Sequence, residues 1–419
     1  MTTYRVSHQS GHIEAKLSIH GSKSIHQRLL VIKHLYQNNL KLSNPSHSND
    51  VLVLTEALLQ INKKKGQGCN INVQDAGTAT RLLVPILAIT PGMWNLEGTA
   101  RMNERPISDL VDSLGSLNDQ IEYANETGKL PLTIRGIEPQ IISNRIFDID
   151  ISKSSQFASA IALIGPSIAT STTIRLQGSL RSLPYFKLTL EMLATFGLEI
   201  DWLDLRTVTI SGQMNKIQNY PIEPDWSSLS YWYSLLAMSS SGDLALSNIT
   251  FPAIQGDAWV HSFFQQHNLI DVEHRQNQMV AYKRRAELEE IHIDFKDIPD
   301  LAPTLIVMCS VLCRKFSFSG VESLAYKESN RIEALLNELN KIGITFTSEE
   351  GKYTKASSLK WPKSSPRFDS YDDHRIAMAF AVMGIIKPVE IRNIEVVKKS
   401  YPGFWDDLRK VNFVLDPID

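Results

Sequence analysis

The feature of this sequence that most constrains its fold is a helical segment that recurs six times at a nearly constant interval. Each copy has a small or acidic residue followed by an apolar run with helical periodicity. The copies begin near Ser24, Thr78, Ser154, Ser227, Asp300 and Asp373. Because the intervals are 54, 76, 73, 73 and 73 residues, we expect six similar units, the first of them shortened.

A short strand with a fixed ending follows each of these helices. The strand ends in an apolar residue, one spacer and then Gly or Asn, at Asn44, Gly98, Gly178, Asn248, Gly320 and Asn393. These two residue types adopt left-handed backbone at least cost, so we expect a positive φ at all six positions. A second amphipathic helix and a strand pair follow in most copies, which predicts a β-α-β-α-β-β unit.

The length of the chain indicates how these units are grouped. Single hydrophobic cores stop growing at roughly 250 to 300 residues, so six units in 419 residues require more than one domain. Three units in each of two domains is the natural division. The stretch NYPIEPDW, with Pro221 and Pro224 between the third and fourth units, is the best candidate for a linker.

Composition excludes several classes of function. The chain has 43 Lys and Arg against 45 Asp and Glu, so it has no overall positive charge that would attract nucleic acid. Its longest apolar run, 376–386, is shorter than the roughly 20 residues that a membrane-spanning helix needs. The beginning of the chain lacks the pattern of a secretory signal, and three cysteines do not form a disulfide framework. We therefore expect a cytoplasmic protein.

Cations occur near the starts of several predicted helices, where the helix dipole disfavours them. Lys23 and Lys153 precede the first and third helices, and Arg375 lies in the first turn of the sixth. Further cations at equivalent places are Arg101, Arg105, Lys327 and Arg331. A single such residue would be a solvated surface charge, but the repetition favours a site for several anionic groups.

Carboxylates accompany these cations. Asp300 is predicted to cap the fifth helix and Glu328 directly follows Lys327, so each suits either acid-base chemistry or a structural ion pair. Asp372 and Asp373 resemble a metal-binding pair, but the adjacent Arg375 favours helix capping and ion pairs instead. The GSKS segment lacks the upstream Gly of a phosphate-binding loop, which disfavours a nucleotide hydrolase.

Motifs along nearly the whole chain resemble one enzyme family. They are GSKSIHQR, DAGTATR, RMNERPI, SKSSQFASA, LPYFKL, EPDWSS, IPDLAPT, YKESNRIEAL, YDDHRIAMA and KKSYPGFW. In this order they are similar to the enolpyruvyl transferases, and among them to the 5-enolpyruvylshikimate-3-phosphate synthases. The resemblance implies a two-domain inside-out α/β barrel of six β-α-β-α-β-β repeats, three per domain. It places residues 21–222 in a first domain on the shikimate 3-phosphate side, and residues 1–20 with 223–419 in the second.

The resemblance also implies a reaction and its partners. The carboxyvinyl group of phosphoenolpyruvate would move to the 5-hydroxyl of shikimate 3-phosphate, with release of phosphate and without a cofactor or metal. This is a step towards chorismate and the aromatic amino acids, and the family is the target of the inhibitor glyphosate. We expect a monomer with no nucleic-acid or membrane partner.

The functional residues of the family map onto this chain motif by motif. Proton transfer would fall to Asp300 and Glu328, with Lys23 bridging the substrates. The residues that would bind phosphoenolpyruvate are Lys23, Gly77, Arg105, Gln156, Arg331, Arg375 and Lys399. Those that would bind shikimate 3-phosphate are Lys23, Ser24, Arg28, Ser154, Ser155, Gln156, Ser182, Tyr185, Asp300, Ser323 and Lys327.

Four positions depart from the pattern of the family, and three alternatives stay open. Asp75, Leu82, Ala325 and Asn330 replace the usual Asn, Pro, Arg and Asp, which bears on affinity and on the response to glyphosate. A UDP-N-acetylglucosamine enolpyruvyl transferase would usually carry a cysteine in the loop that is RMNERPI here. An RNA 3′-phosphate cyclase would need a nucleotidylated histidine and a more basic surface. A non-catalytic anion-binding repeat protein would not need Asp300 or Glu328.

Overall fold

The computed structural model describes residues 2–275, 278–284 and 288–418. The chain divides into two compact units. The central unit is Lys23–Ile222, and the terminal unit combines Met1–Ser22 with Glu223–Asp419. Within the described ranges, no helix has both the length and the apolar character needed to cross a bilayer.

The helices and strands follow one another along the chain in an α/β order. The first strands, in the terminal unit, are β1 (Thr3–His8) and β2 (His12–Ser18). The helices of the central unit are α1 (Lys23–Leu35), α2 (Asn49–Lys64), α3 (Gly77–Ala88), α4 (Ala100–Asn103), α5 (Ser108–Leu114), α6 (Gln156–Ile168) and α7 (Leu183–Thr195). Its strands are β3 (Lys41–Ser43), β4 (Asn70–Asn72), β5 (Gly92–Glu97), β6 (Ile121–Tyr123), β7 (Leu132–Gly136), β8 (Ile142–Asp150), β9 (Ala169–Gln177), β10 (Glu199–Trp202), β11 (Thr207–Ser211) and β12 (Asn219–Pro221).

The remainder of the terminal unit continues the same alternation. Its α-helices are α8 (Trp226–Met238), α9 (Trp259–Gln266), α10 (Ala302–Leu312), α11 (Arg331–Asn340), α12 (His374–Ala381) and α13 (Phe404–Lys410). Its strands are β13 (Ser241–Ser247), β14 (Ile270–Arg275), β15 (Gln278–Lys283), β16 (Leu288–Asp294), β17 (Cys313–Ser319), β18 (Phe346–Glu349), β19 (Lys352–Lys355), β20 (Arg367–Phe368), β21 (Val389–Arg392) and β22 (Phe413–Pro417). Short 3₁₀ helices lie at Gly256–Ala258, Glu322–Tyr326, Val382–Ile385 and Ile394–Lys399.

In the described residues, the four-stranded sheets of both units are mixed, and β12 with β3 forms a two-stranded parallel sheet. The terminal unit has the strand orders β20-β21-β1-β22, β14-β15-β13-β2 and β16-β17-β19-β18, and the central unit has β4-β5-β7-β6, β10-β11-β9-β8 and β12-β3. Each sheet contains one parallel pair, such as β4 with β5 or β16 with β17, and its other pairs are antiparallel. A parallel pair needs a crossover connection, and in four of the pairs this connection contains one of the helices α3, α6, α10 and α12. The α/β fold expected from the sequence is therefore confirmed.

The helices that begin at the recurrent segments form the cores of the two units. Every residue of α8 and α12 is buried, as are the first nine of α10, and α3 and α6 of the central unit are buried along most of their length. A helix that is covered on all sides must be apolar all round, which explains their runs of Leu, Ile, Ala and Val. The polar residues of these segments are concentrated at the helix starts, where the candidate site residues lie.

The positive φ expected after each recurrent strand is confirmed at five of six positions. Asn44, Asn248 and Asn393 have φ of 52°, 64° and 53°, and Gly178 and Gly320 have 71° and 70°. The expectation was wrong at the sixth position.

Gly98 is not one of the described residues that have a positive φ. A Cβ at this position would lie 2.6 Å from the carbonyl oxygen of Gln74 and 2.8 Å from Cβ of Met102. Lack of space for a side chain, rather than a left-handed backbone, therefore requires glycine at position 98.

Two predicted helix starts also need correction. Asp300 does not cap α10, because the helix begins at Ala302 after an N-cap at Leu301. The Asp300 carboxylate is instead occupied by cations, as described below. Lys23 does not precede α1 but is its first residue.

Candidate active site

In the terminal unit, the guanidinium of Arg331 lies at the centre of a cluster of charges at the starts of α10, α11 and α12. Its Nε is 2.7 Å from Oδ2 of Asp373, its Nη2 is 2.7 Å from Oε2 of Glu328, and its Nη1 is 3.4 Å from Oδ1 of Asp300. The Arg331 side chain is only 2% exposed. A buried cation therefore holds three carboxylates together.

Two further cations complete this group of six charges, which we call the charge cluster. Nη2 of Arg375 is 2.9 Å from Oδ2 of Asp300, and Nζ of Lys327 is 3.4 Å from Oδ1 of the same residue. Nη1 of Arg375 also donates to the backbone carbonyl of Asp300 at 3.0 Å. Three cations thus meet one carboxylate. The motifs that resemble those of the enolpyruvyl transferases predicted five members of the cluster as site residues, and the structure brings these five together.

The surroundings of Asp300 determine its protonation state. Burial by itself would raise the pKa of Asp300, but the charges of Arg375, Lys327 and Arg331 outweigh burial and hold this pKa well below its usual range. Asp300 is therefore ionised at neutral pH. In this state its carboxylate can accept a proton but cannot donate one.

Asp373 is the sixth member of the charge cluster and orders two helices at once. Its side chain caps α12 by accepting from the backbone N–H of Arg375 at 2.9 Å, and Ser329 Oγ donates to it at 3.2 Å. Asp372 has a left-handed φ of 54°, and its carboxylate accepts from the amide of Asn393. The expectation of caps and ion pairs in YDDHR is confirmed. No group of His, Cys, Asp and Glu side chains suited to a metal ion occurs in the described part of the chain.

Two further predicted residues of the terminal unit lie in 3₁₀ helices. Lys399 is buried at the end of the 3₁₀ helix Ile394–Lys399. Ser323 lies in the 3₁₀ helix Glu322–Tyr326, which leads into Lys327. In the residues that the structure describes, the Ser323 side chain makes no hydrogen bond to the charge cluster.

In the central unit, Lys23 pairs with a carboxylate that was not among the site residues predicted from the motifs. Lys23 is the first residue of α1, and its Nζ is 2.8 Å from Oδ2 of Asp50 in the first turn of α2. The Asp50 side chain is 2% exposed and that of Lys23 is 11% exposed. The two helix starts are therefore joined by a largely buried ion pair.

Arg28 is buried beneath the start of α1 and has only neutral partners. Its Nε donates to Oγ1 of Thr189 at 2.6 Å, and its Nη2 donates to Oγ of Ser159 at 3.3 Å and to the carbonyl of Tyr185 at 3.2 Å. Its Nη1 donates to the carbonyl of Ser24 at 2.9 Å. Burial lowers the pKa of Arg28 to about 10, so it remains a cation at neutral pH.

The start of α3 places glycine against two arginines. A Cβ on Gly77 would lie 2.3 Å from Nη1 of Arg105 and 2.8 Å from Nη1 of Arg81. Arg81 also donates to the Gly77 carbonyl at 2.8 Å. Both guanidinium groups can lie this close only because residue 77 has no side chain. The structure thus brings Gly77 and Arg105 together as predicted, and it adds Arg81.

The starts of α6 and α7 hold the remaining predicted residues. Gln156 donates from Nε2 to Oγ1 of Thr78 at 2.8 Å, and its backbone N–H donates to Oγ of Ser154 at 3.3 Å. Ser155 is buried at the N-cap of α6. Ser182 precedes α7 with a left-handed φ of 55°, and within the described residues its side chain forms no hydrogen bond with the other predicted residues.

Three structural partners were missed by reasoning from the sequence. Asp50 pairs with Lys23, and Ser159 and Thr189 accept from Arg28. Ser159 and Thr189 carry a signal, because each is a fully buried hydroxyl on a helix face whose other buried residues are mainly apolar. A buried polar group normally has a partner, so such positions are candidates for contact with another polar residue.

Comparison with known proteins identifies the family. The sequence profile described as EPSP synthase (3-phosphoshikimate 1-carboxyvinyltransferase) matches residues 7–408. A protein of Bacteroides fragilis named 3-phosphoshikimate 1-carboxyvinyltransferase is 36% identical over 408 residues, which cover 96% of each chain. One of the same name from Methanospirillum hungatei is 32% identical over 412 residues, covering 93% of this chain and 94% of its own.

The fold has counterparts among solved structures. An EPSP synthase from Acinetobacter baumannii superposes with a TM-score of 0.77 at 20% identity, covering 99% of this chain and 100% of its own. At this identity the likeness concerns the fold alone. The sequence matches span nearly the whole chain, and from them we conclude that it belongs to the EPSP synthase family.

Proposed function

We propose that this protein transfers the carboxyvinyl group of phosphoenolpyruvate to the 5-hydroxyl of shikimate 3-phosphate and releases phosphate. Membership of the EPSP synthase family supports the reaction. The observation that carries the proposal is the charge cluster, in which an ionised carboxylate is held among three cations. Both substrates are anionic, and the reaction needs cations and a proton-transfer group side by side.

The chemistry requires a proton to move in each direction. A proton is added to the vinyl CH₂ of phosphoenolpyruvate while the 5-hydroxyl oxygen bonds to C2 and loses its own proton. The new methyl group then loses a proton as phosphate leaves from C2, so the reaction consumes and releases no net proton. Asp300, which is ionised, suits removal of the hydroxyl proton, and Glu328 suits transfer to and from the methylene. Lys23 would bridge the two substrates.

Phosphoenolpyruvate has two anionic groups, and we propose that a set of cations and neighbouring groups binds it. The residues are Lys23, Gly77, Arg105, Gln156, Arg331, Arg375 and Lys399. Their support is the concentration of Arg and Lys at helix starts, where backbone N–H groups add to the attraction.

Shikimate 3-phosphate offers a phosphate, a carboxylate and hydroxyls, which call for hydroxyl donors as well as cations. The proposed residues are Lys23, Ser24, Arg28, Ser154, Ser155, Gln156, Ser182, Tyr185, Asp300, Ser323 and Lys327. Support comes from Arg28, a buried cation with neutral partners only, and from the serines grouped at the start of α6.

We propose a finer description of the architecture on the same basis. The fold is an inside-out α/β barrel of two domains, each built from three β-α-β-α-β-β repeats. Residues 21–222 form the domain on the shikimate 3-phosphate side, and residues 1–20 with 223–419 form the other. The enzyme acts in the cytoplasm as a monomer without nucleic-acid or membrane partners, in keeping with its formal charge of −2.

Phosphate release tests the proposed function directly. The protein is incubated with phosphoenolpyruvate alone, with added shikimate 3-phosphate, or with added UDP-N-acetylglucosamine. We expect phosphate release only with shikimate 3-phosphate. Release with the sugar nucleotide alone would assign the protein to the sister activity, and no release with either acceptor would refute the proposed function.

A further inference from the structure

Gln27, in the second turn of α1, is the most conspicuous unsatisfied polar group of the central unit. Its side chain is completely buried, and neither Oε1 nor Nε2 has a hydrogen-bond partner among the described residues. Burying an amide without hydrogen-bond partners is unfavourable, so native proteins rarely retain one without a compensating role. An apolar residue of the same size would pack there at no such cost.

The position of Gln27 connects it to two candidate site residues. Residues four apart in a helix lie on the same face, so Gln27 lies directly behind Lys23, the first residue of α1. On that face Lys23 forms its ion pair with Asp50. The next residue, Arg28, lies on the neighbouring face. Gln27 is thus one helical turn from Lys23, the cation that pairs with the buried Asp50 carboxylate and is proposed to contact substrates.

We propose that Gln27 is a positioning residue that donates from Nε2 to the Asp50 carboxylate when Lys23 turns towards bound substrate. This inference depends on the proposed function, because it needs Lys23 to leave Asp50. The Asp50 side chain is almost fully buried, and weakening a buried ion pair is costly unless another donor replaces the cation. The amide of Gln27 supplies that donor without a second charge.

This arrangement explains why an unpaired amide persists in the protein without ligand. The cost is present while Lys23 holds Asp50 and is relieved once Lys23 moves. Gln27 therefore favours the state in which Lys23 is available to the substrates. A bound substrate can shift the protein towards this state only if it binds this state more tightly than the other. Stability is lowered in exchange for function, as is common at active sites.

The test uses Gln27→Met, which keeps the length of the side chain, with Gln27→Leu as a second variant. Thr172→Val is the matched control, because Thr172 is also a buried central-unit residue whose Oγ1 has no partner among the described atoms. We expect each variant to raise the Tm of the free protein by about 2–4 °C. Only the Gln27 variants should lower kcat/KM, by about tenfold, and reduce the rise in Tm that shikimate 3-phosphate causes.

A double variant distinguishes positioning from general packing. Asp50→Asn alone should lower kcat/KM, and adding Gln27→Met should then lower it little further, because both changes remove the same contact. Losses of kcat/KM that multiply in the double variant would overturn the proposal, as would Gln27 variants with a raised Tm but wild-type kcat/KM.

If the wild-type protein itself releases no phosphate, the proposed function fails and this inference fails with it. If the wild-type protein turns over normally and the Gln27 variants have the same kcat/KM as wild type, only the inference about Gln27 is refuted and the proposed function stands.

Discussion

Arg28 and Arg331 are both buried arginines, one in each unit, yet they are stabilised in opposite ways. Arg28 uses four N–H groups on hydroxyls and carbonyls, and burial lowers its pKa. Arg331 contacts three carboxylates, which overcome the effect of burial and raise its pKa. One site therefore has an uncompensated positive charge, whereas the other is close to neutral.

Because one arginine lacks carboxylate partners and the other has three, the two sites should bind an anion in different ways. The charge of Arg28 is not neutralised by any carboxylate in the described residues, so an anionic ligand that approaches the start of α1 is attracted without displacing another group. At the charge cluster, an anion must compete with Asp300 and Glu328 for Arg331, Arg375 and Lys327. The competing carboxylates are those that we propose for proton transfer, so binding of an anion there would also release these two side chains from their ion pairs.

The largest expected effect is on turnover. Asp300→Asn and Glu328→Gln keep the size of each side chain but remove its acid-base capacity, so each should lower kcat by about 10² to 10⁴-fold. Binding of shikimate 3-phosphate should change little by comparison. Asp109→Asn, which breaks a partly exposed ion pair with Lys153, is the control and should keep normal turnover. Near wild-type turnover in both variants would make these residues ion-pair partners only.

The second effect is on stability and tests the two arginines directly. Asp373→Asn removes a fully buried counter-charge from Arg331 and should lower the free energy of unfolding by about 3–5 kcal/mol. Thr189→Val removes a neutral acceptor from Arg28 and should cost about 1–3 kcal/mol. Urea unfolding of the two variants measures both losses. Equal losses would mean that the partners of the two arginines do not differ in importance.

The third effect is on binding of phosphoenolpyruvate. The methyl group of Gly77→Ala would overlap the guanidinium groups of Arg105 and Arg81, so one or both must move. We expect the KM for phosphoenolpyruvate to rise about tenfold, and the inhibition constant of the larger glyphosate to rise proportionally more. Gly115→Ala meets only one carbonyl, at 3.3 Å, and should have little effect. Equal shifts for both ligands would contradict the placement of Gly77 beside the donor.

The smallest effect is on stability in acid. Because the pKa of Asp300 is lower in the folded protein than its unfolded value of about 3.9, its ionised form stabilises the fold above that pH. This contribution is lost progressively as pH falls below about 4. The difference in Tm between wild type and Asp300→Asn should therefore shrink from pH 6 to pH 3. A difference that stays constant over this range would show that Asp300 has an ordinary pKa.

Local features of the fold could be predicted from the sequence, whereas partners in ion pairs could not. The left-handed positions were predictable at Asn44 and Gly320 because residue type alone determines the cost of a positive φ. Gly98 followed the same pattern for a different reason, lack of space, which depends on residues from another segment. The preference of a residue for a backbone conformation depends on its own type, whereas the space around it depends on residues that are distant in sequence.

The site shows the same limit. The cations at the helix starts could be predicted because their positions recur in the repeat. That Arg28 would meet Thr189, 161 residues away, or that Lys23 would meet Asp50, depends on how the helices pack. Motif comparison also missed Asp373 as a site residue, although its role as a cap was predicted from the adjacent Arg375.

The first strand of the chain has a consequence for the order in which the protein can assemble during synthesis. β1 pairs with β21 and β22, nearly 400 residues later, so the sheet cannot form until the chain is almost complete. At about 5–20 residues per second, β1 must remain unpaired for roughly 20–80 s after it is made. The central unit has all its strands within 200 consecutive residues and can fold on the ribosome during that delay.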